Sequence, residues 1–150
     1  MPYWEIFTPE GAFTDEDKER LTEAITDVYV EWVNLPKFYV CVRFQEMAPN
    51  EMYVGGKAKN NFVRIVIDHI ARKMENEQIQ LGALAAFEAA LEPFVKDRGY
   101  DWELHIDETP KELWRTQGLI PPPGESDIEK LWAKENRPIP YDLETLAPLP

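Results

Sequence analysis

A strand, a helix and a strand follow one another in this chain, and about sixty residues later the same order returns. In the first unit Tyr3–Phe7 alternates as a short strand. Thr14 is a good helix N-cap, and Asp15, Glu16 and Asp17 suit the positive end of the helix it opens. Leu21, Ala24, Ile25, Val28, Tyr29, Trp32 and Val33 keep helical spacing, and Asn34 and Pro36 stop the helix. FYVCVRFQE is the returning strand, with Phe38, Val40, Val42 and Phe44 on one face and Tyr39, Cys41, Arg43 and Gln45 on the other. In the second unit VRIVIDH sets Val63, Ile65 and Ile67 against Arg64, Val66 and Asp68. A helix is predicted from about Asn76 to Val95, with Ile79, Leu84, Phe87, Leu91 and Phe94 on its apolar side. Tyr100–Asp107 closes the unit, with Trp102, Leu104 and Ile106 alternating against Glu103, His105 and Asp107.

Two consecutive βαβ units predict an α+β fold: one four-stranded sheet with both helices on one face. The other face would carry Tyr39, Val66, Arg43 and His105. That mixture is too apolar for open water and too polar for a core, so further subunits are expected to cover it. The units fall at about residues 2–58 and 59–110 of a domain spanning 1–124. A proline-rich tail, 125–150, follows, with a short helix ending near Glu135 and capped by a box of Ser126 and Glu129. It is expected to pack on its own domain or on a neighbouring subunit.

Composition narrows the functional classes. With 150 residues and 44% apolar content the chain suits one domain with a real core. No apolar run is long enough to span a membrane, and the amino terminus lacks a signal-peptide pattern, so a cytoplasmic location is expected. Cys41 is the single cysteine, which rules out an intrachain disulfide. No metal-ligand spacing, P-loop or dinucleotide fingerprint is present, and no metal or organic cofactor is expected. A net charge of −12 makes nucleic acid and anionic membranes poor partners. Against that balance, GGKAKNNFVRIVIDHIARK concentrates Lys57, Lys59, Arg64, Arg72 and Lys73, with Asp68 as its only acid. The stretch suggests a site for a small anion; ordinary solvated surface charge explains it as well.

The start Met-Pro, the paired βαβ units, AITDVY, FQE, YVGG and the ETP after the last strand together resemble the tautomerase superfamily, and within it the cis-3-chloroacrylic acid dehalogenase-like group, over roughly residues 2–124. The resemblance implies a homotrimer and an amino-terminal proline acting as general base and acid. Pro2 matches that proline, and Arg72 matches the second of two arginines that bind a substrate carboxylate. The first arginine of that pair falls on His69 here, the family's helix histidine on Tyr29, and its fourth-strand tyrosine on His105. The water-activating glutamate of the dehalogenases falls on or near Thr116, with Trp114 and Arg115 beside it as further substrate-binding candidates.

The resemblance therefore implies a tautomerase acting on a small keto or enol carboxylate. Pro2 would move the proton, Arg72 would hold the carboxylate, and His69, His105 or Tyr29 would donate to the developing enolate. A dehalogenase-like hydratase and a malonate semialdehyde decarboxylase-like lyase are the enzymatic alternatives; a trimeric scaffold without chemistry is the third. Each residue also has a structural reading. Pro2 opens a strand where no N–H is needed, Tyr29 lies on an apolar stripe, and His69 can bridge to Asp68. His105, Arg43 and Arg64 can pair across subunits, Trp114 and Arg115 can anchor the tail, and Cys41 can be inert.

Overall fold

The computed structural model describes residues 1–150. The chain runs β1 (Tyr3–Pro9), α1 (Asp15–Val33), β2 (Cys41–Met47), β3 (Tyr53–Val54), β4 (Lys57–Ala58), β5 (Phe62–His69), α2 (Glu77–Leu91), β6 (Asp101–Glu108) and α3 (Asp127–Glu135). The main sheet has four strands in the order β2-β1-β5-β6. Each βαβ unit makes a parallel pair, β1 with β2 and β5 with β6, and the two units join through an antiparallel contact of β1 with β5. Both long helices lie on one face and touch each other. The predicted α+β arrangement of two repeats is the observed one.

Strand alternation explains which face the helices cover. Trp4 and Ile6 of β1 and Val63, Ile65 and Ile67 of β5 are fully buried, beneath Leu21 and Ile25 of α1 and Phe87 and Leu91 of α2. Burial of each such side chain contributes about 1.5–3 kcal/mol relative to exposure. Phe87 meets Trp4 edge-on at 5.0 Å. The Trp4 indole N–H finds its buried acceptor in the Tyr29 hydroxyl, at 3.1 Å.

Helix α1 begins where its sequence demands. The Asp17 N–H donates to Thr14 Oγ1 at 3.1 Å, and the Thr14 N–H donates to Asp17 Oδ2 at 3.0 Å. The Asp17 carboxylate also takes both arms of Arg98, at 2.9 and 2.7 Å, tying the helix to the turn before β6. Thr14→Ala is expected to cost about 1 kcal/mol. A calorimetric melt should show a Tm lower by about 3 °C.

The structure departs from the sequence reading at several points. Tyr39 is not on the open sheet face. Pro36 forces a single 3-10 turn over Lys37–Tyr39, which swings the ring into the core, and β2 starts only at Cys41. Helix α2 ends at Leu91, and Ile79 is 43% exposed because α1 covers the stripe centred on Ala83, Phe87 and Leu91. The Ser126–Glu129 box is half formed: Ser126 Oγ accepts from the Glu129 N–H, but the Ser126 N–H donates to the Pro123 carbonyl. The basic stretch does not gather into one patch. Lys57 sits in the β3–β4 hairpin, whose turn uses Gly55 and Gly56 at φ 58 and 79. Lys59 pairs with Asp101 and Arg64 with Glu103, while Arg72 and Lys73 follow the end of β5.

The tail packs back on its own chain. Trp132 is fully buried and shares one hydrophobic cluster with Trp114, Ile128 and Tyr141. Its indole N–H donates to the Ile139 carbonyl at 2.8 Å, and the Tyr141 hydroxyl donates to the Ile120 carbonyl at 3.0 Å. The sheet face away from the helices pairs Arg43 with Glu5 and Arg64 with Glu103, each at 2.8 Å, across neighbouring strands of the same chain. These two arginines therefore have partners without a second subunit. No helix is long and apolar enough to cross a membrane.

Candidate functional site

One end of the sheet collects half of the candidates, Pro2, Tyr29, His69 and Arg72. Pro2 is buried, and its carbonyl accepts from the Cys41 N–H at 3.0 Å. Tyr3 pairs with Asp68 in the antiparallel ladder, so the register continued by one residue sets Pro2 beside His69. His69 in turn pairs with Glu108 at the end of β6. The chain then bends through a 3-10 turn over Lys111–Leu113, which brings Lys111 up to the same end.

The electrostatics there are unusual. The amino terminus is held far below its ordinary value, at about 4, first by burial and then by the positive charge of Lys111; Cys41 opposes the shift. Burial lowers the His69 pKa too, which favours a neutral imidazole. His69 is 5% exposed and its Nδ1 has no hydrogen-bond partner. Its ring stacks on Tyr29 with centroids 6.0 Å apart. Burial also pushes the Tyr29 phenol upward, so it remains a neutral hydroxyl.

Arg72 reaches this end but arrives occupied. Its two Nη atoms donate to both Glu129 carboxylate oxygens, at 3.1 and 2.8 Å, and to the carbonyls of Ala71 and Val33. Glu129 also accepts the Glu125 N–H at 2.6 Å. A Cβ at Gly124 would stand 3.0 Å from the guanidinium, so the turn before α3 closes directly over it. Ala71 at φ 86 adopts a conformation costly for a side chain, and this bend aims Arg72 at α3. The fork expected to hold a substrate carboxylate thus holds the carboxylate of Glu129 in this structure.

The remaining candidates lie elsewhere. His105 is on the open sheet face, where it meets Arg64 and Asp107. It stands three residues, about 10 Å, before the end of β6 where the other groups gather. Trp114 is buried edge-on against Tyr39 at 4.8 Å, in the cluster that also holds Trp132 of the tail. Arg115 is exposed and folds back on the Glu112 and Trp114 carbonyls. Thr116 is buried in a tight bridge with Leu119 and carries no carboxylate to activate water.

Sequence reasoning missed three residues at this end. Glu129 was hidden behind its capping position. Tyr39, whose buried hydroxyl has no hydrogen-bond partner, was hidden by strand alternation. Lys111 gave no local signal. It lines a recess of about 500 Å³ with Arg72 and Lys73 and with two acids, Glu108 and Glu112. A second, apolar slot of about 60 Å³ lies over Tyr29 and His69, between Trp32, Met74 and Phe87. No cluster of His, Cys, Asp and Glu side chains is arranged to hold a metal ion.

Comparison with known proteins gives this geometry a context. The model of a family described as "Putative oxalocrotonate tautomerase enzyme" matches residues 1–137. RhCC from Rhodococcus jostii RHA1 is 68% identical, with a TM-score of 0.91, covering 93% of this chain and 99% of that one. A probable enzyme from the thermophilic fungus Aspergillus fumigatus is 39% identical, with a TM-score of 0.88, covering 94% and 98%. N1, a member of the cis-3-chloroacrylic acid dehalogenase family, shares the fold at 18% identity and a TM-score of 0.70, covering 87% and 89%. No functionally curated protein matches the chain.

Proposed function

Since this chain belongs to the oxalocrotonate tautomerase family, we propose that it moves a proton within a small keto or enol carboxylate, with the amine of Pro2 as base and acid. The reading requires removal of Met1, which frees a secondary amine. One observation carries it: the amino terminus lies half-buried at the sheet end within reach of the Lys111 charge, where an amine is held at about 4. Burial and the same lysine would act on a Pro2 amine one residue further in. That amine would be uncharged at neutral pH and ready to accept a proton.

In the proposed cycle Pro2 nitrogen takes a proton from the carbon next to the carbonyl. The C–H electron pair forms the enolate double bond, and the carbonyl π electrons move to oxygen. The Pro2 ammonium then returns the proton to the other terminus of the conjugated system. His69, neutral and with an unpartnered ring nitrogen, is the group this reading assigns to the oxygen on which charge develops. Tyr29 fixes the ring by stacking on it. The trimer belongs to this reading as well: a fused 4-OT chain of the same fold forms a symmetric trimer, and His105 on the open sheet face would meet a neighbour there.

The test begins with intact mass. The processed protein should lack methionine. It should then be labelled by 2-oxo-3-pentynoate, the compound that inactivates Pt0534, a chain of this fold. The Pro2 nitrogen would add to the alkyne carbon β to the ketone, the neighbouring carbon would take up the nitrogen's proton, and the mass would rise by one probe molecule. Processed protein left unlabelled on residue 2 overturns the reading. A silent scaffold is the second reading, and the occupied fork of Arg72 favours it. It predicts no labelling and no turnover. Product analysis on three-carbon acetylenic acids and malonate semialdehyde separates tautomerase from hydratase or decarboxylase.

A further inference from the structure

We propose that Lys111, and not Arg72, is the side chain that receives the substrate's carboxylate; the inference rests on the tautomerase reading of Pro2. Three observations point there. The Arg72 fork is filled by the carboxylate of Glu129, a buried residue of its own chain, which is pinned in turn by the Glu125 N–H. Lys111 has no carboxylate partner, its ammonium donating to the Pro122 carbonyl, a neutral acceptor that leaves its charge unpaired. Lys111 also lines the recess at the end of the sheet and is the cation whose charge reaches the amino terminus. Lys73 shares the recess but is exposed.

In this proposal a carboxylate seated on Lys111 is held at the end of the sheet where the amino terminus lies, within reach of the lysine's charge. One cation then does two things. It binds the anion, and it keeps the base deprotonated. The charged and titratable groups around the amine are Lys111, Cys41 and His69, and those around Lys111 are Arg72, Lys73, Glu108, Glu112 and Glu129, of which Glu108 accepts the Met74 N–H. Glu129 is spent on Arg72, which leaves Lys111 free to act on a ligand. Arg72 becomes a structural lock for the tail.

The experiment compares 2-oxo-3-pentynoate with its methyl ester on the processed full chain, reading the half-saturating concentration and the rate of labelling on residue 2. The wild type should prefer the acid. Lys111→Gln should raise the half-saturating concentration for the acid by about tenfold to a hundredfold, and change that for the ester far less. It should also move the acid limb of the labelling rate to higher pH, because the amine loses a neighbouring positive charge. Lys111→Arg should restore both the preference and the limb, which a merely structural role would not require. Lys111→Met, which keeps the apolar stem, replaces Lys111→Gln if the latter melts early. The proposal is overturned if the Lys111 variants still prefer the acid while Arg72→Gln loses that preference. It falls also if the wild type shows no preference. Failure of the wild type to be labelled on residue 2 is a different result: it removes the tautomerase reading and this proposal with it.

Discussion

Pro2→Ala should lower the rate of carbon proton transfer by about 10²–10⁴-fold, the range expected for loss of a positioned general base. The loss is not expected to be total. Alanine at position 2 still permits removal of Met1, so a primary amine replaces the secondary one near the same place. That amine is freer to rotate, because the pyrrolidine ring no longer fixes its approach. A variant that keeps Met1 should be more severe, since the nitrogen of residue 2 is then an amide with no lone pair to offer. Measured with intact mass on each sample, the order should be processed wild type, then Pro2→Ala, then the form retaining methionine. Equal rates in the three would end the proline mechanism, whatever residual activity remained.

The largest stability effect is expected at Glu129. Its side chain is 3% exposed and that of Arg72 is 18% exposed. Glu129→Ala removes the only carboxylate on Arg72 and leaves a largely buried charge unpaired, along with the Glu125 N–H that the same carboxylate accepts. Breaking such a pair from one side costs about 3–5 kcal/mol. Denaturant unfolding should therefore show a much lower midpoint, and the tail should be cleaved early by protease because α3 loses its tie to the end of β5. Glu129→Gln keeps the shape and should cost less. Replacing both residues together by methionine should recover much of the loss, since two buried charges then need no solvation. A single Glu129→Ala variant as stable as the wild type would show that the pair does not hold the tail.

The repeat and its sheet were legible because hydrophobic period is a local property. A strand with Val63, Ile65 and Ile67 on one side has few options, and Thr14 followed by three acids announces a helix start without help from distant residues. The site was legible only in part. Pro2 and His69 stand at strand ends, and register carries them together. Tyr29 lies on a stripe that must face the sheet. The charged partners were not legible. Arg72 and Glu129 are 57 residues apart, and nothing near either residue names the other. Glu129 even fits a local role, at the third helical position after Ser126, which the packed tail overrides.

The alternation of residue types thus determined, by itself, two βαβ units, their buried faces and a proline poised at a strand start. Tertiary structure alone decided what that proline faces. Side-chain period says which way a residue points, but not which distant loop will arrive in front of it. Packing Trp132 into the core sets α3 over the end of β5, and that contact hands Arg72 to Glu129. The bend after β6 then leaves Lys111 as the unpaired cation beside the amino terminus. Charges pair with whatever the packed core brings within reach, so their roles are fixed last.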